Sequence, residues 1–251
     1  MQIVISDTVT IQPDGTFALP QAILPPGRAF MATTMYGNVT YGSQVSTVQE
    51  GQDSLSLDIT VFDSTTDTSS LIVDRMHVFF DFNKPDTVQV IDLYIISNLG
   101  DRTVVAKDLR GPVVDIALPA GATNLQFQDG ILGQRYLPTT SGFADTTPIR
   151  PGSGEHQILF AFEMPYDRKL EISQPLTFPV RDIVVLFPQD GVRLRSEMLR
   201  DEGTRDVQGV AYRMFSGDQV MAADTLYMTL SGRPGSDLGL SIEDRGGFAI
   251  G

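Results

Sequence analysis

Two stretches, "LIVDRMHVFFDF" (71–82) and "VQVIDLYIISN" (88–98), constrain the fold of this chain most. Both are rich in β-branched and aromatic residues, and they flank "NKPD" (83–86), whose Pro and Asp favour a tight turn. Two long strands joined by that turn are predicted. Because each looks apolar on both faces, they belong at the centre of a sheet system, where both faces are covered.

Further strands are predicted at 113–118, 156–166, 182–188, 191–196, 207–215 and 225–232, separated by Gly, Pro and Asp clusters. Within them Ile158, Phe160, Phe162 and Met164 share one face by the two-residue period, as do Leu226, Met228 and Leu230. The rhythm is that of a β-sandwich. Only "RSEMLRDEG" (195–203) could form a turn or two of helix. The segment 121–155 lacks regular pattern and exceeds ordinary loop length, so it is expected to be functional or to fold as an excursion.

The N-terminal part reads differently. "PDG" (13–15) is a turn signal between Thr8–Gln12 and Thr16–Leu19, which are expected to pair. Gly37-Asn38 is a hairpin turn between the strands 30–36 and 39–48. In "SLSLDITVF" (54–62), Leu55, Leu57, Ile59 and Val61 alternate with Ser, Asp and Thr, the pattern of a half-buried strand. Next comes "DSTTDTSS" (63–70), which has no apolar side chain and is expected to be a solvated connector. The predicted organisation is all-β, with two tandem β-sandwich domains: residues 1–62, a linker at 63–70, a larger second domain at 71–232 and a flexible tail at 233–251.

Composition removes several function classes. At 41% hydrophobic and 20% charged residues, the chain is too apolar for disorder. Its net charge of −13 disfavours nucleic acid and anionic membrane surfaces, both of which need basic patches. The absence of cysteine excludes disulfides and thiolate chemistry and leaves the redox compartment open. The opening "MQIVISDTVTIQ" carries no secretory signal pattern, and no apolar run reaches membrane-helix length.

The "PDGTF" turn, the "PPGRAF" stretch, the "YGNVTY" hairpin and the closing "LDITVF" together resemble the later part of a carboxypeptidase regulatory-like domain, a transthyretin-like β-sandwich common in bacterial surface and envelope proteins. That family usually opens with a Gly-x-Val strand, for which "MQIVIS" leaves no room, so the resemblance implies an incomplete first domain whose edge is supplied upstream or by another chain. More faintly, the whole chain resembles bacterial membrane-anchored proteins with a second β-domain and a C-terminal anchor. The resemblance implies an extracytoplasmic location, periplasmic or at the cell surface. It also implies a non-catalytic structural, adhesion or assembly role, with another envelope protein or a carbohydrate as partner.

No motif names a reaction. His77 and His156 lie in or at the start of apolar strands, where neither is presented as a catalytic base. Asp81, Asn83 and Asp86 read as a hairpin turn, since the twelve-residue calcium-loop pattern is missing. Asp129 and Asp145 could converge within 121–155 to hold calcium. Without Trp, a sugar platform would have to use Tyr41, Tyr136 or Tyr166. Asn38-Val39-Thr40 spells a glycosylation sequon. No catalytic, cofactor or metal residue is assigned. The alternatives are a carbohydrate or small-ligand site on 121–155 and, less favoured, a carboxylate- or metal-dependent hydrolase.

Overall fold

The computed structural model describes residues 6–188, 191–207 and 210–234. The described residues are all-β, without a helix, and so none of them forms a helix long and apolar enough to cross a membrane. The chain divides into two compact units, Met1–Val61 and Phe62–Gly251.

The first unit contains two short ribbons: β1 (Ala29–Phe30) pairs with β4 (Ser46–Thr47), and β2 (Thr33–Tyr36) with β3 (Val39–Gly42). The Gly37-Asn38 turn is present with φ of 55° and 62°, the double left-handed geometry that suits the twist of a hairpin. The "PDG" turn also forms, closed by Gln12 N–H to Thr16 C=O at 2.8 Å and by Asp14 accepting from Thr16. Its arms do not extend into the expected strands, and 54–62 does not enter a ladder either. In 54–60 Leu55, Leu57 and Ile59 are half-buried while the intervening residues are exposed, so the alternation holds without a pairing partner.

The second unit contains β5 (Ser64–Thr65), β6 (Leu71–Lys84), β7 (Thr87–Asn98), β8 (Thr103–Val104), β9 (Val114–Ala117), β10 (Thr123–Phe127), β11 (Tyr136–Pro138) and β12 (Gly142–Asp145). It continues with β13 (Gly152–Pro165), β14 (Lys169–Pro175), β15 (Val180–Pro188), β16 (Val192–Arg195), β17 (Arg200–Val207), β18 (Val210–Gly217) and β19 (Thr225–Gly232). A seven-stranded sheet runs β10-β13-β7-β6-β15-β18-β17, and only its β6–β15 pair is parallel. Two three-stranded sheets, β11-β12-β9 and β14-β19-β16, bring Tyr136, Phe143, Ile172 and Leu226 to the same core as Met76, Phe80, Tyr94 and Phe160 of the large sheet.

Three differences from the sequence reading have local causes. The stretch 63–70 is not a free connector: β5 pairs in parallel with β8, Thr103 N–H donates to Asp63 C=O, and Leu99 N–H donates to Ser70 C=O. Its short polar side chains leave the backbone free to join a sheet margin. "RSEMLRDEG" forms no helix; β17 takes Arg200–Val207, where pairing with β18 outweighs weak local helix preference. In β6, Leu71 and Val73 share the core with Met76, Val78 and Phe80, a change of parity absorbed by a bulge between Val73 and Arg75. The expected tail lies outside the described residues from 235 onward.

Candidate functional site

The segment 121–155 supplies β10 to the large sheet, β11 and β12 to a small one, and the start of β13. β12 lies between β11 and β9, with Asp145 opposite both Tyr136 and Val114. That position draws the Asp145 side chain inside, where it is 0% exposed. Arg135 reaches it from the residue before β11, with Nη2 at 2.8 Å from Oδ2 and Nε at 3.2 Å from Oδ1. The Thr147 amide donates to Oδ1 at 2.9 Å, and His156 Nε2 lies 3.0 Å from Oδ2. Arg135 Nη1 turns to Asp129 at 2.6 Å. Gly130 permits this approach: its φ is 94°, and a Cβ there would sit 3.0 Å from the Arg135 Cβ.

Burial alone would raise the Asp145 carboxyl, but hydrogen bonds from His156, Arg135 and the Thr147 amide outweigh it and hold the group well below the usual carboxylate range. Both oxygens are already engaged. The arrangement resembles the orienting half of a hydrolytic triad only in its Asp–His pair, because the same carboxylate is neutralised by a guanidinium. Asp129 and Asp145 therefore do converge, but around Arg135. The geometry performs cross-linking: one carboxylate ties together β12, β13 and the turn preceding β11. Arg135 was not singled out from the sequence, and its one signal is a cation between two aspartates in a pattern-poor segment.

A second buried carboxyl has the opposite environment. Asp92 on β7 is 0% exposed, and neither oxygen has a hydrogen-bond partner. It lies in a cross-strand row that runs Phe215, Val185, Val78, Asp92, Phe160, Phe127. Burial pushes its carboxyl well above the ordinary range, so the folded state favours the neutral acid. Tyr94, two residues on, is also pushed up by burial and by Asp92; its hydroxyl lies 3.4 Å from Gln174 Nε2. Gln174 also donates to Ala117 C=O at 2.9 Å, linking the chain at β14 to β9.

The other residues weighed from sequence are distributed elsewhere. His77 lies on the face of the large sheet occupied by Phe79, with both ring nitrogens buried and unpartnered. Burial, and then the charge of Arg75, push its imidazole down to about 4, leaving it neutral at pH 7. Asp81 caps the β6–β7 turn, accepting from Asn83 N–H at 3.1 Å and from its amide group at 2.9 Å, and Asp86 lies in that turn with φ 53°. Tyr41, Tyr136 and Tyr166 are all buried, so none forms an exposed sugar platform. Tyr136 stacks on Phe127 at 3.8 Å, and Tyr166 donates to Gly232 C=O at 3.0 Å. No group of three or more His, Asp or Glu suited to a metal occurs among the described residues. A cavity of about 330 Å³ is lined by buried Leu71, Val114 and Phe178 and by exposed Asp115 and Thr177.

Compared with known proteins, the chain matches no family model and no curated protein. Among solved structures it is similar to an M1 zinc metallopeptidase from Deinococcus radiodurans, with 13% identity over 69% of this chain and 46% of that one and a TM-score of 0.36. A mutant two-domain M1 zinc metallopeptidase bound to L-tryptophan gives 12% identity, the same coverage and a TM-score of 0.39. The yeast delta-COP-I mu-homology domain gives 9% identity over 67% of this chain and 76% of that one, at a TM-score of 0.20. The chain spans less than half the length of the metallopeptidase chains it matches.

Proposed function

We propose that this protein is a non-catalytic structural, adhesion or assembly module of a bacterial cell envelope, built of two tandem β-sandwiches. The first is a carboxypeptidase regulatory-like domain and the second a larger sandwich, and both act outside the cytoplasm. The observation that carries this reading is the saturation of Asp145: the chain's longest pattern-poor segment is a strand layer closed by a buried ion pair. A segment whose carboxylate and guanidinium satisfy one another stiffens a scaffold and leaves little polar capacity for a sugar or a calcium ion. The acidic net charge and the resemblance of the first unit to envelope domains support the same reading.

Fractionation of the source cells tests it. Recovery with the envelope or periplasmic fraction is expected. Recovery in the cytosol would overturn the assignment.

A further inference from the structure

The first unit has little interior of its own. Among its described residues the buried apolar side chains are Val39, Tyr41 and Val48, while Ile11, Leu19, Ile23, Met31, Met35 and Val45 are exposed, Ile23 at 82% and Met35 at 71%. Neither apolar cluster found among the described residues includes a residue of this unit. A unit of this size needs most of its apolar surface covered to be stable alone.

Beside that deficit runs a strand-like segment that pairs with no described strand. Residues 54–61 alternate apolar and polar side chains, no described strand pairs with them, and no backbone hydrogen bond joins them to a described residue. An extended segment with open backbone groups is a template for an added strand unless Pro or charged side chains guard it. Here Asp58 is the single charge.

We propose that 54–61 receives an added β-strand from a partner polypeptide that carries basic side chains at alternate positions. This deepens the assembly reading above and rests on it. The periodicity supplies the geometry: an added strand that matches Leu55, Leu57 and Ile59 with apolar residues sets its other residues beside Ser56, Asp58 and Thr60. The charge supplies the chemistry. Across Met1–Val61, Asp7, Asp14, Glu50, Asp53 and Asp58 stand against Arg28 as the single base. Lys or Arg opposite Asp58 is a favourable cross-strand pair, and Glu or Asp there is unfavourable. A second copy of this chain is the poorer occupant, because it opposes two molecules of net charge −13.

Amide exchange on the full chain, with and without short synthetic peptides, tests the proposal. A peptide alternating Val and Lys is expected to slow exchange of the 54–61 amides by at least about tenfold. A Val-Glu peptide of equal length is expected not to. In Asp58→Lys, an exposed change that leaves the apolar positions intact, the preference should shrink. Equal response to both peptides, protection already present in the free chain, or protection that rises with protein concentration alone would each overturn the proposal. Because fractionation does not depend on this strand, failure here leaves the envelope reading to its own test.

Discussion

Arg135 places its Nη2 2.8 Å from Oδ2 of Asp145, and that contact holds the margin of one three-stranded sheet closed over the aromatic group Phe127, Tyr136, Phe143 and Phe160. The carboxylate is wholly buried and the Arg135 side chain is 21% exposed, so removing Arg135 leaves a buried charge with little water, and removing Asp145 leaves the guanidinium only its exposed partner Asp129. Asp145→Leu and Arg135→Leu are each expected to destabilise the second unit by about 3–5 kcal/mol, and the double variant by much less than the sum. Urea titrations of the three variants measure this. Additive losses would show that the pair is not coupled.

The same pair has an acid signature. The folded-state pKa of Asp145 lies below its unfolded value, so its contribution is fully present above about pH 4 and is lost as pH falls below that. The wild type minus Asp145→Asn difference in stability should therefore shrink progressively below about pH 4.

Asp92 gives the opposite slope. Its folded-state pKa lies above the unfolded value, so the folded state binds an extra proton and stability falls as pH rises from about pH 4 towards the folded pKa. Asp92→Leu removes this term and an unpartnered polar group between Val78 and Phe160. The variant is expected to be more stable than wild type at pH 8, with the advantage narrowing towards pH 4. A destabilised Asp92→Leu at pH 8 would mean that the carboxyl is paired in solution.

Phe160 is 1% exposed and meets Tyr94 and Phe143 edge-on, with centroids at 5.4 and 4.9 Å. Phe160→Ala should cost about 3–5 kcal/mol by loss of transfer energy and cavity formation. Gly142 faces a different constraint, since a Cβ there would sit 2.2 Å from the Ile116 carbonyl oxygen. Gly142→Ala is expected to push β12 from β9 and lower the melting temperature, with exchange of the Phe143 and Ala144 amides rising before that of β7.

The legibility of these features in the sequence follows from their range. The β6–β7 hairpin was readable because its turn and its apolar runs are local. Asp92 was also readable in principle: a period of two from Val88 and Val90 to Tyr94 and Ile96 passes through it, placing a carboxyl on an apolar face. The bulge at Asp74 was not, because β-strand parity is corrected only when β7 is beside it. Arg135 and Asp145 pair across ten residues of weak pattern, and no local preference announces a fold-back whose second strand takes its register from β9. In the first unit the alternation of 54–60 was visible, but alternation states which face is apolar and leaves the neighbouring strand unspecified.

Amide exchange across 121–147 tests most directly whether this segment is a locked layer or an open binding loop. The account predicts that the hydrogen-bonded amides of β11 and β12 exchange within about tenfold of those in β7, through the same unfolding event. Exchange of β11 and β12 at the rate of an open loop, while β7 stays protected, would contradict it.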